Sequence, residues 1–238
     1  MSVPALPPPF EVGPTPPGDD DVRVGFRARL LALDRDLTVL ADDVAAAIGP
    51  VNRAFLTGDR DLVADETQRH LALAARCREL EDAGFVIIAR EAPVAVDLRW
   101  IVAIMRAIVD VERSSKLLVH VAESVADVHV DALRSTARWV SERLADSSRR
   151  IFVSGVRAWR QRDGLAVHEL DGSDDEVDRL QEGLIAELSV GGHRVEDVVT
   201  LALVGRYYER LADHGVALAQ HVAWAITGDR PGARWQGR

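Results

Sequence analysis

From Phe26 the apolar positions advance in steps of four and three: Phe26, Leu30, Leu33, Leu37, Leu40, Val44, Ile48, Val51 and Phe55. That spacing puts one stripe along an α-helix and predicts a helix-packing seam over the first third of the chain. Gly49-Pro50 interrupts the stripe, and a kink is expected there because Pro50 lacks a backbone donor and crowds the preceding turn. "TGDRD" (57–61) supplies a stop and a restart. A second helix is predicted from about Leu62 to Arg90, and a third starts with Pro93 in its first turn and runs through "ADV" (126–128). A fourth covers 132–159, and 161–175 then mixes turn residues with room for a short helical piece. The fifth helix is expected from Asp175 to the paired glycines of "SVGGHR" (189–194), and the sixth from Val195 to "TGDRPG" (227–232). No run alternates with a period of two, so the fold is predicted to be all-α.

Six helices can be arranged as three plus three. Sliding residues 196–222 onto 99–125 superimposes Glu209-Arg210 on Glu112-Arg113 and much of the apolar pattern around them. Any two amphipathic helices share a period, so the order of elements carries more weight. Each half reads helix, helix, then a long helix with Glu-Arg near its middle. The predicted organisation is two pseudo-repeated three-helix bundles, 22–128 and 129–228, between tails 1–21 and 229–238. Seven of the ten prolines fall in the first eighteen residues, which favours extended, unpacked chain and predicts a disordered tail.

At 238 residues, with 47% hydrophobic content, the chain is large enough to bury a core. Its net charge of -9 argues against non-specific nucleic-acid binding, which needs basic surface. The single cysteine, Cys77, excludes an internal disulfide and fits a reducing cytoplasmic setting. The longest apolar run, "WIVAIMRAIV" (100–109), carries Arg106 and is too short to span a bilayer, so no direct membrane insertion is expected. No nucleophile elbow, phosphate loop, dinucleotide fingerprint or Cys/His arrangement is present, and the chain does not read as an enzyme.

Two carboxylates, Glu209 and Asp213, stand four apart in "RYYERLADHGVALAQHV" (206–222), so like charges face each other on adjacent turns. Either Arg206 and Arg210, three residues before each, neutralise them, or the pair is part of an ion site. Asp175, Asp178 and Glu182 lie on one face of the preceding helix and offer a matching set of oxygens. Such donors suit magnesium, manganese, calcium or iron better than zinc or copper. "DGSDDEVD" (171–178) lacks the order of a calcium loop, and Ser173 or Asp174 reads as the fifth helix's N-cap. His214 and His221 could be outer ligands, but lone helical histidines read more readily as structural or exposed, and neither is placed in the site.

"APVAVDLR" (92–99) followed by "VER" (111–113), together with "DDEVDRL" (174–180) and "YERLADH" (208–214), resembles the signature of the PhoU proteins. The resemblance runs from about 22 to 228. It implies two three-helix bundles in pseudo-twofold repeat, each with an E-x-x-x-D motif that binds metal ions. It also implies a cytoplasmic homodimer that restrains phosphate uptake and phosphate-starvation signalling through contacts with a transporter ATPase and a sensor histidine kinase. Carried over, the metal residues are Glu209, Asp213, Asp175, Asp178 and Glu182, with a divalent metal or iron as the possible cofactor. The first half departs from the pattern: Lys116 replaces the second acid after Glu112, and His70, Ala74 and Cys77 precede Glu81 on the neighbouring helix. A Glu112–Lys116 salt bridge is expected to close that site. Two rival readings are a metal-binding helical bundle, whose carboxylates are themselves the function, and a generic coiled-coil interaction protein.

Overall fold

A computed structural model describes residues 20–128 and 135–229, with side chains from Val24 onward. The expected tails and the start of the fourth helix at 132 therefore fall largely or wholly outside the described residues. Six helices make up the fold: α1 (Asp20–Thr57), α2 (Leu62–Glu91), α3 (Ala95–Glu123), α4 (Ser135–Gln161), α5 (Ala166–Ser189) and α6 (Val195–Thr227), with one 3-10 turn, Ser124–Ala126, after α3. No strand occurs among the described residues.

The stripe from Phe26 to Phe55 is buried throughout and forms the seam of α1. Pro50 does not end the helix. Val51 and Phe55 are 0% and 1% exposed, so packing holds the last turns in place although Pro50 removes one donor. Pro93 stands two residues ahead of α3 rather than in its first turn, and Val94 takes the extended cap position. The third helix also stops at Glu123, short of the expected 128.

The fifth helix departs further from expectation, because α5 begins at Ala166, nine residues before Asp175. Asp163 Oδ1 accepts from the amides of Leu165 at 3.0 Å and Ala166 at 3.2 Å, which satisfies donors at the helix start. Val167 and Leu170 are buried, so the turn-rich stretch gains more from packing than its composition costs. Ser173 is consequently mid-helix, its hydroxyl donating to Glu169 O at 3.1 Å, and neither it nor Asp174 is a cap.

α1, α2 and α3 pack on one another, as do α4, α5 and α6, and the two units meet where α3 crosses α6 and α1 meets α4. Within the second unit α4 and α6 touch backbone to backbone: a Cβ on Gly155 would lie 2.0 Å from Gly215 O. Polar contacts pin the junction between units. Ser114 Oγ lies 2.9 Å from His214 Nδ1, and His221 Nε2 lies 2.8 Å from Asp110 Oδ2, so both histidines serve the α3–α6 contact. At the α1–α4 contact, Trp159 Nε1 donates to Asp34 at 3.0 Å. The Arg162 guanidinium pairs with the same carboxylate and lies 4.2 Å over the Trp100 ring.

Candidate functional site

The buried face of α6 fixes where its acids point. Leu211, Ala212 and Gly215 face the core, and the buried Tyr208 hydroxyl donates to Asn52 Oδ1 at 3.1 Å across the unit boundary. On α5, buried Val177 and Leu184 set the opposite face. With both rotations fixed, Asp174 and Asp178 of α5 come into electrostatic range of Glu209 and Asp213 of α6.

The consequence is mutual destabilisation of charge. The Asp213 carboxyl is pushed up to about 6, first by the protein crowding around it and then by Glu209 and Asp178, with Arg206 and Arg210 opposing. Burial and then Glu209, Asp175 and Glu182 hold Asp178 above its ordinary range. Asp174 is pushed up to about 7 by burial, then by Asp213, Asp178, Asp171 and Glu209. Its Oδ1 is buried and accepts no hydrogen bond. Asp213 keeps an exposed surface as a residue, so it is the crowding of its neighbours rather than full enclosure that shifts it.

Of the five residues expected from sequence, Glu209, Asp213 and Asp178 are thus brought together, while Asp175 and Glu182 act on this group through Asp178; all but the half-buried Glu209 are exposed. Sequence reasoning assigned Asp174 to a cap and so missed it. Its signal was present as spacing, since Asp171, Asp174 and Asp178 follow steps of three and four once the helix is known to start earlier. Arg206 pairs with Glu209, as the neutralising alternative predicts for that residue, whereas Asp213 has no such bond. Among the described residues, no group of three or more His, Cys, Asp and Glu side chains is arranged to hold a metal ion. The acidic face therefore supplies hard oxygen donors whose mutual repulsion Arg206 and Arg210 only partly offset, but not a closed ligand set.

The first half offers less. His70 Nδ1 lies 3.1 Å from Ser115 Oγ, and burial pushes the Cys77 thiol up to about 12, so it is not a ready thiolate ligand. Lys116 is exposed, and no ion pair within 4.0 Å joins it to Glu112, so the expected closing salt bridge is absent among the described residues. The exposed ammonium keeps its hydration and a four-residue ion pair gains little there, while Glu112 is half-buried.

A family model, the PhoU domain, matches residues 37–125 and again 142–222. The chain is 28% identical over 220 residues to a Mycobacterium leprae protein named phosphate-specific transport system accessory protein PhoU homolog 1, covering 88% of this chain and 96% of that protein. It is 30% identical over 214 residues to a Deinococcus radiodurans protein named phosphate-specific transport system accessory protein PhoU homolog, covering 84% of this chain and 98% of that protein. The solved PhoU of Streptococcus pneumoniae superimposes with a TM-score of 0.79 at 16% identity, covering 87% of this chain and 99% of that one. PhoU of Pseudomonas aeruginosa gives 0.71 at 19%, covering 89% and 100%. At those identities the structures speak to the fold alone. The two matched segments cover well over half the sequence, one in each half, and place the chain in the PhoU family.

Proposed function

We propose that this protein is an accessory regulator of phosphate transport, acting by protein contacts to restrain uptake and phosphate-starvation signalling. The observation that carries the reading is the family match in both halves, joined to near full-length similarity with relatives named as phosphate-specific transport accessory proteins. The proposed partners are a transporter ATPase and a sensor histidine kinase, the proposed setting is the cytoplasm, and the proposed assembly is a homodimer. No described helix is long and apolar enough to cross a membrane. Deleting the gene should derepress phosphate-starvation genes in phosphate-rich medium, and normal repression in the deletion strain would sink the reading. Affinity capture from phosphate-replete cells should recover a transporter ATPase.

A second reading, a metal-binding bundle, draws on the raised carboxyls of Asp174, Asp178 and Asp213. Here a divalent cation or iron would be held by Glu209, Asp213 and Asp178, with Asp175 and Glu182 adding negative field, and Arg206 would release Glu209. Elemental analysis of the purified protein, with and without Glu209→Ala plus Asp213→Ala, tests it. Stoichiometric metal lost in the double variant supports the site, and equal metal content in both proteins refutes it.

A further inference from the structure

A groove of about 470 Å³ lies between α1 and α2, away from the acidic face of the second half. Its volume is within the range of small-molecule sites, roughly 300–1,000 Å³. Its walls are apolar: Leu40, Val44, Ala47 and Leu73, all buried side chains. Two buried polar residues, Glu66 and Ser115, break that lining, and only Glu66 is an acid. Glu66, on α2, is 2% exposed, and its Oε2 accepts no hydrogen bond. Arg69 Nη1, one turn further on, stands 3.6 Å away, beyond hydrogen-bond reach, on a side chain that is 58% exposed. Burying a carboxylate costs free energy unless donors meet it, and removing such a cost would be easy by substitution. Burial holds the Glu66 carboxyl above its ordinary range, with Arg69 opposing.

We propose that the α1–α2 groove is a binding site for a small organic cation, a primary ammonium with an apolar body, whose head is received by Glu66. Ser115 of α3 lines the same groove, and its hydroxyl, 3.1 Å from His70 Nδ1, keeps a lone pair for a second contact. The apolar body covers the walls that Leu40, Val44 and Leu73 present. An anionic head would meet Glu66 inside and Asp43 at the rim, while Arg69 and Arg76 are exposed and could hold it only at the mouth. The corresponding groove of the second unit, between α4 and α5, is smaller at about 210 Å³ and lined by Ser147, Ser154 and Ser173. Ser147 Oγ there already accepts from Arg150 at 2.7 Å, and no buried acid is present among its lining residues. The ammonium site therefore belongs to the first half only, and it requires neither a metal nor the phosphate-regulator reading.

Titrating the full chain with phenethylammonium chloride, followed by amide chemical shifts in two-dimensional NMR, tests the proposal. Saturable shifts should fall on the α1 and α2 residues around Ala47 and Ala72. Phenylacetate and 2-phenylethanol, which match the probe in shape but not in charge, should bind at least about tenfold more weakly, a difference of about 1.4 kcal/mol. Glu66→Gln should weaken the ammonium at least as much while melting at the same temperature or higher, because a costly buried acid has been removed. Ala72→Phe, at an exposed position on the rim, should block binding without touching the core. Absence of saturable shifts, equal binding of phenylacetate, or undiminished affinity in either variant would overturn the proposal.

Discussion

Asp174 keeps its proton closer to neutrality than an aspartate in water does, and the sign of that shift determines how it bears on stability. Its folded pKa, about 7, lies above the unfolded value, so the folded state binds the proton more tightly. The group is therefore harmless below about pH 4. It destabilises progressively as pH rises through the window between the unfolded value and about 7, and Asp213, at about 6, acts in the same sense. Asp174→Asn should stabilise the fold near pH 8 by on the order of 1 kcal/mol after allowing for solvent screening, which raises the melting temperature by about 2–4 °C. The gain should vanish near pH 4, and melting curves at the two pH values check it; an equal gain at both would show that the carboxyl's ionisation is not the cause. A cation drawn to this face would give a parallel effect: millimolar magnesium or manganese should raise the melting temperature near pH 8 and do so less in Glu209→Ala plus Asp213→Ala.

The elements meet through two contrasting devices. α4 and α6 approach through Gly155 and Gly215, where a Cβ on Gly215 would come 2.6 Å from Phe152 Cα. The obstacle is backbone, which cannot swing aside, so Gly215→Ala should cost about 3 kcal/mol or more in chemical denaturation, at the upper end of overpacking effects. A cost near zero would mean that the helices slide apart freely. α1 and α4 are joined by polar groups instead: Arg162, at φ 56, ends its helix with the guanidinium between Asp34 and the indoles of Trp100 and Trp159. Arg162→Gly relieves the left-handed backbone yet removes the ion pair and the cation–π contact, and it should destabilise by roughly 2–3 kcal/mol. Arg162→Lys should recover only part of this, because an ammonium cannot lie flat on indole while facing a carboxylate.

At the scale of the molecule, the two units share a plan but not a chemistry. The second carries facing acids on α5 and α6, whereas the first has Lys116 four residues after Glu112, His70, Ala74 and Cys77 on α2, and a groove with a buried glutamate. Metal and small-cation binding should therefore map to different halves. Loss of metal in Glu209→Ala plus Asp213→Ala should leave phenethylammonium binding intact, and Glu66→Gln should leave metal content intact. The units are coupled through α3 and α6, where Asp110 meets His221 and Ser114 meets His214. A ligand that shifts either helix would thus be felt in the other unit.

The helical period alone determined the number of helices, the α1 seam and the duplicated order, because burial of one stripe per helix is written directly into residue spacing. The Glu209-x-x-x-Asp213 pair and the acids preceding it were legible for the same reason. Tertiary structure decided the rest. The start of α5 depended on Val167 and Leu170 finding a core, and this moved Asp174 from a cap to the acidic face. Which arginine satisfies which acid also depended on helix rotation, so Arg206 holds Glu209 while Asp213 is left among carboxylates. The groove around Glu66 was invisible in one dimension, since an acid in an amphipathic helix looks exposed until the helices beside it close over it.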